Sequence, residues 1–258
     1  MTAFELQQDG PAGAPTLVLA HSLGSDVRIW DEVVADLADS WHIVRWNLPG
    51  HGASEIPSGP ARMETVVEVL LSQLDEAGIG RFHVAGISLG AIASLAVAEM
   101  APERVLSLAM LDSGAALLPS EPWFDRAELV RAEGMSSLVD ATMDRWFTPE
   151  FRAGKGESRY RRTRETFLAC PVEGYAYCCE LIGNTDLRAD LSQIQVPTLI
   201  LTGDEDAGMS PGKAEELAHQ IPGAAGSFQV IKNSRHLTCV EHPRQVAAAL
   251  TQVMCQVI

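Results

Sequence analysis

The 258-residue sequence predicts an α/β protein: a doubly wound, mainly parallel sheet interrupted once by a helical insertion. Three observations predict it. Short runs that are apolar almost throughout recur along the chain, as strands buried on both faces require. Segments with helical periodicity separate them. The alternation lapses from about Ala115 to Leu191, where arginines and aromatics replace buried strands.

Each element can be justified in order. Phe4 to Gln8 reads as a short antiparallel edge strand. "PTLVLA" (Pro15 to Ala20) and "HIVRWN" (His42 to Asn47) read as buried strands. "METVVEVLLSQLDEAG" (Met63 to Gly78) carries a helical stripe. "FHVAGI" (Phe82 to Ile87) is a strand that runs into the alanine-rich helix "GAIASLAVAEMA" (Gly90 to Ala101). "VLSLAML" (Val105 to Leu111) is the last strand before the insertion. After it come "PTLILTG" (Pro197 to Gly203), the helix "PGKAEELAHQI" (Pro211 to Ile221) and "SFQVIK" (Ser227 to Lys232). The chain closes with "PRQVAAALTQVM" (Pro243 to Met254), whose proline suits a first helical turn. The expected division is a core of residues 1–114 and 191–258, with 115–190 as a helical cap or lid. A segment of that size is marginal as an independent domain.

Composition narrows the function classes. Apolar residues make up 47%, which supports a sizeable core rather than disorder. The net charge of −15 argues against nucleic-acid binding, which needs a positive face. Ser113 to Asp190 holds ten Lys/Arg and thirteen Asp/Glu, so most of the excess acid lies outside the insertion. An acidic field opposes anions, so an anionic substrate would need a local cation. The start of the chain shows no basic segment leading into an apolar one, and no signal peptide is expected. No apolar run is long enough for a membrane span. Five cysteines in no metal-binding pattern suggest reduced thiols in the cytoplasm, with Cys178 and Cys179 packed in the core.

The chemistry centres on "GISLG" (Gly86 to Gly90), a Gly-x-Ser-x-Gly between strand and helix. A sharp, strained turn there exposes Ser88, and the flanking glycines leave room for it. The helix start beneath the serine favours negative charge. A serine nucleophile needs a base, and the base an orienting acid, in the chain order Ser, Asp or Glu, His. His219, His236 and His242 follow Ser88. His219 reads as a surface residue and His242 as a turn residue. His236, in the loop after the last strand, is the favoured base. Among Asp204, Glu205 and Asp206 the last is the favoured acid, with Asp112 as the alternative. The backbone N–H groups of Leu89 and of Leu23, in "AHSLGSD", are candidate oxyanion donors. His21 and His51 read as structural, and no second ligand stands at zinc spacing from His51, so no metal is expected.

Together "HSLG", "PGHGAS", "GISLG", "GDEDAGMSP" and "SRHLTCVEHP" resemble the α/β-hydrolase family across nearly the whole chain. Within it, "MSSLVDATMDRWFTPEF" and "FLACPVEGYAYCCELIGNTDLRADLSQIQVPTLILTGDEDAGMSP" resemble the 3-oxoadipate enol-lactonases of the β-ketoadipate pathway of aromatic degradation. The resemblance implies an α/β-hydrolase fold, a small lactone carboxylate as substrate, water as cosubstrate and no cofactor. It implies Ser88, Asp206 and His236 as the triad, Leu23 and Leu89 as the oxyanion hole, and release of 3-oxoadipate from a serine acyl-enzyme. Two departures stand out. Asn47 replaces an aspartate common in the family, removing a charge expected near the site, and Ala91 replaces a glycine. The alternatives on the same triad are other esterases and lactonases, including acyl-homoserine lactonases and perhydrolases, and a non-catalytic receptor on the same fold.

For the substrate carboxylate, Arg145 offers a planar fork beside Trp146 and Phe147. "RYRRTRE" (Arg159 to Glu165) is the competing cluster, read as a solvated helix face. Trp146 either lines the pocket or packs the cap.

Overall fold

The computed structural model describes residues 2–257. Seven strands form one sheet: β1 (Leu6–Asp9), β2 (Thr16–Ala20), β3 (His42–Trp46), β4 (Phe82–Ile87), β5 (Val105–Leu111), β6 (Thr198–Gly203) and β7 (Phe228–Ile231). Their spatial order is β1-β3-β2-β4-β5-β6-β7. All pairs are parallel except β1 with β3, where Leu6 lies opposite Trp46. The antiparallel edge strand starts two residues later than the sequence suggests. Phe4 is used otherwise: it is buried, with its ring 5.4 Å from that of Trp46.

Before the insertion the core helices are α1 (Asp31–Leu37), α2 (Met63–Glu76) and α3 (Leu89–Met100). Of these, only α1 has no counterpart among the sequence expectations; its seven residues are too few to show a period. Strands β2, β3, β4 and β6 are buried at every residue, so both sheet faces are covered.

Between β5 and β6 the chain forms α4 (Glu121–Glu133), α5 (Val139–Trp146), α6 (Pro149–Ala153), α7 (Glu157–Ala169) and α8 (Val172–Gly183). It leaves and returns at one point: Ala116 bridges Asp186, and the Leu187 N–H donates to the Ala115 carbonyl at 3.0 Å. Backbone contact with the core is close, since a Cβ on Gly174 would sit 2.1 Å from the Gly50 carbonyl oxygen. The chain then completes α9 (Pro211–Gln220), the short α10 (Thr238–Glu241) and α11 (Pro243–Met254), which packs on α1. All five cysteines are free, and Cys178 and Cys179 are fully buried. Among the described residues no helix is long and apolar enough to cross a membrane.

Candidate active site

Ser88 stands between the end of β4 and the first turn of α3 with φ 56° and ψ −122°. A non-glycine residue there carries roughly 1–3 kcal/mol of strain, which its surroundings must hold. They do. The Ser88 N–H donates to the Leu111 carbonyl at 2.9 Å, and its own carbonyl accepts from the Ala91 and Ile92 N–H groups. The two glycines are needed for space. A Cβ on Gly86 would lie 2.1 Å from the Gly90 carbonyl oxygen, and one on Gly90 would lie 2.4 Å from that of Ala20. Both obstacles are backbone and cannot rotate away. Ala91 is buried without disturbing the turn.

The loop after β6 brings one of its three acids to His236. The His236 Nδ1–H donates to Asp206 Oδ2 at 2.8 Å. The other Asp206 oxygen accepts from the Gly208 and Met209 N–H groups at 2.8 and 3.1 Å. Burial alone would raise the pKa of Asp206, but the imidazole and the two amides outweigh it and hold the carboxyl below its ordinary range. Asp204 instead faces Lys232, and Glu205 faces Arg235. Asp112, fully buried, accepts from the Gly203 N–H and from the Thr238 N–H and hydroxyl. Burial and the nearby Asp206 push its carboxyl well above the usual range. His219 is exposed, and His242 Nε2–H donates to the Asn233 carbonyl.

His21 and His51 cross-brace the loop that carries Leu23. The Leu48 N–H donates to His21 Nε2, and the Gly24 N–H donates to His51 Nε2, both at 2.9 Å. Each ring uses its Nδ1–H on a backbone carbonyl, of Ser22 and Pro49 respectively. The N–H groups of Leu23 and Leu89 differ from these. Among the described residues, neither the Leu23 N–H nor the Leu89 N–H has a hydrogen-bond partner, although both residues are buried.

Ser88, His236 and Leu23 line one cavity of about 100 Å³. From the insertion it receives Trp123, Arg145, Trp146 and Tyr175. Trp146 does two jobs: it lines the cavity and packs edge-on against Phe147 and Phe167. Arg145 is the only guanidinium in the lining, and among the described residues it has no ion pair or hydrogen bond. Its side chain is exposed to solvent, and nearby protein and the Arg126 charge lower its pKa from the ordinary guanidinium value. The arginines of 159–165 lie elsewhere, paired with Glu157, Asp31 and Asp140 or bonded to the Val240 carbonyl.

Nothing local in the sequence marks which helix face of Trp123 or Tyr175 meets the cavity, while Met209 reaches it from the Asp206 loop. Arg126 was missed too, and it holds Tyr175 in place through a 2.6 Å bond to the phenol oxygen. One expectation needs correction. Asn47 does not face the cavity: it accepts from the Val27 N–H and donates to Glu5, so no charge is lost from the site there.

The family model described as the alpha/beta hydrolase family matches residues 17–249. The chain belongs to the alpha/beta hydrolase family. This hydrolase is 31% identical to 3-oxoadipate enol-lactonase 1 of Acinetobacter baylyi, over 94% of its own length and 89% of the relative's. It is 29% identical to 3-oxoadipate enol-lactonase 2 of the same organism, over 95% and 90%. Among solved structures, the enol-lactonase from Burkholderia xenovorans LB400 superposes with a TM-score of 0.91 at 30% identity, covering 98% of this hydrolase and 96% of that chain.

Proposed function

We propose that this hydrolase opens 3-oxoadipate enol-lactone to 3-oxoadipate through a serine acyl-enzyme, as a step in cytoplasmic degradation of aromatic compounds. The chain is a carboxylic ester hydrolase. The substrate class rests on one observation: Arg145, without a carboxylate partner among the described residues, lines the same cavity as Ser88 and His236. The enol-lactonases at about 30% identity support the same reading.

In this reading, residues 115–190 form a cap over the core and supply the carboxylate site. The lactone carboxylate lies on Arg145 and its ring against Trp146. His236 Nε2 takes the proton of Ser88 as the oxygen attacks the ring carbonyl. The Ser88–His236 hydrogen bond forms with substrate in place, as such bonds commonly tighten in the complex. The Leu23 and Leu89 N–H groups hold the oxyanion. The ring C–O bond then breaks, and the leaving enol oxygen receives the proton from His236. The tethered enol becomes a ketone. Water attacks the acyl-enzyme, gives its proton to His236, and Ser88 leaves with that proton. Asp206 holds the imidazole in the Nδ1–H tautomer throughout.

The test compares kcat/KM for the enol-lactone, a homoserine lactone and 4-nitrophenyl acetate. The enol-lactone should be preferred by orders of magnitude, and Ser88→Ala should lose that turnover about 10⁴-fold or more. Equal turnover of all three would overturn the substrate, and an active Ser88→Ala would overturn the mechanism.

A further inference from the structure

Glu241 does not line the cavity and belongs to none of the groups assigned above. In the structure it is buried, at 6% exposure. Its two oxygens receive four donors, the full complement of a carboxylate. One oxygen accepts from the Arg235 N–H at 2.7 Å and the Ser234 hydroxyl at 3.3 Å. The other accepts from the Thr148 N–H at 2.9 Å and the Thr148 hydroxyl at 2.8 Å.

The donors come from two places that matter. Ser234 and Arg235 immediately precede His236. Thr148 follows Arg145 and Trp146 by three and two residues. The two segments are joined again nearby. The Leu237 N–H donates to the Trp146 carbonyl at 3.2 Å, and the Arg235 guanidinium donates to the Asp144 carbonyl at 2.5 Å. Thr148 also caps α6, accepting from the Phe151 N–H. Residues 144–148 of the insertion and 234–237 of the core are therefore tied together by hydrogen bonds, with the Glu241 carboxylate at the joint.

We infer that Glu241 is a positioning residue that sets the register of the carboxylate anchor against the base. It touches neither substrate nor Ser88. It fixes how far Arg145 stands from His236, and so how far a bound carboxylate stands from the carbonyl under attack. Reactivity falls steeply with small displacements of that kind. The inference rests on the proposed roles of Arg145 and His236.

The readout is the selectivity for 4-nitrophenyl hemiadipate over 4-nitrophenyl hexanoate, which carry the same acyl length with and without the charge. Arg145→Gln should reduce that kcat/KM ratio about tenfold or more. Thr148→Val keeps the side-chain shape but removes both one donor to Glu241 and the acceptor that caps α6, so its effect is read together with Glu241→Gln, which leaves the cap in place. Thr148→Val should lower the ratio several-fold, and Thr148→Ser should restore it. Glu241→Gln, which turns one acceptor oxygen into a donor, should lower the ratio further and also reduce kcat on both esters. In the Arg145→Gln background, Thr148→Val should have no further effect on the ratio, because the anchor it registers is gone. If Arg145→Gln lowers the ratio while Thr148→Val and Glu241→Gln leave it unchanged, the role of Glu241 is overturned and the proposed function stands. If Arg145→Gln leaves the ratio unchanged, the carboxylate anchor itself is overturned, and the register inference with it.

Discussion

Replacing His51 with glutamine should flatten the acid side of the stability curve by a calculable amount. The His51 ring is fully buried beside that of His21, with centroids 5.2 Å apart. Its Nε2 must stay an acceptor, because the Gly24 N–H points at it. A proton there would set two donors against each other in a buried space. Burial holds its pKa down to about 4, against an unfolded value of 6.5. The sign follows from linkage. Between those values the unfolded chain takes up a proton that the native state refuses, so stability is full above about 6.5 and is lost as pH falls. The slope is about 1.4 kcal/mol per pH unit. From about pH 7.5 to about pH 5.0 His51 alone should cost about 2 kcal/mol. His21, held to about 3 by burial and by the His51 charge, should cost a similar amount.

The whole-protein curve will not show this cleanly. Burial raises the pKa of Glu99 to about 7 and that of Asp112 well above its ordinary value, and both stabilise the native state as pH falls. The difference between wild type and variant cancels those groups. The glutamine side chain can still accept from the Gly24 N–H, so His51→Gln removes the titration while keeping an acceptor. Urea unfolding at the two pH values gives both free energies. Whatever constant cost the substitution carries, the variant should gain about 2 kcal/mol on wild type between them. Parallel losses in both proteins would refute the neutral acceptor role of His51.

Other expectations follow from the same geometry. Asp206→Asn leaves the His236 ring in place but offers its Nδ1 a donor as readily as an acceptor; kcat should fall about 10³–10⁴-fold with little change in KM. Gly90→Ala drives a Cβ into the Ala20 and His21 carbonyls, and calorimetry should show Tm lowered by about 4–10 °C. The net charge of −15 should slow arrival of an anionic substrate. Raising ionic strength from about 10 to about 150 mM should therefore increase kcat/KM for the hemiadipate ester relative to the hexanoate, as the screening length shrinks to about 8 Å. A steady fall of that ratio with salt would mean that the local Arg145 attraction dominates encounter.

The parts of this site that were legible in the sequence are those where backbone geometry leaves few residue choices. Gly86 and Gly90 have carbonyl oxygens within 2.4 Å of where a Cβ would stand, so the Ser88 turn must be written with glycine. Asp206 and His236 are legible because each follows a strand, β6 fully buried and β7 half-buried, at the same end of a parallel sheet. The insertion had no such constraint. Its Trp123, Tyr175 and Arg126 are set by how α4 and α8 pack on each other and on the core. Helical periodicity reports that a face is buried, not what it is buried against. Asn47 shows the opposite error: a family difference placed near the site by sequence turns out to brace Val27 and Glu5 behind it.

Glu241 and Asp112 belong to a third kind of residue. Asp112 directly follows β5 and Glu241 ends the short α10, and nothing local in the sequence marks either as a buried tie. Here both are buried among backbone N–H groups and hydroxyls, all from distant segments for Asp112 and half from one for Glu241. The donors of Glu241 come from residues flanking His236 and from Thr148, 93 positions away. Those of Asp112 come from Gly203 and Thr238, which flank Asp206 and His236. The short bond between His236 and Asp206 is therefore gripped from two sides: Asp112 ties the acid loop to the base loop, and Glu241 ties the base loop to the insertion. Chemistry on a loop needs such ties, because a loop has no ladder or helix of its own to hold a 2.8 Å contact.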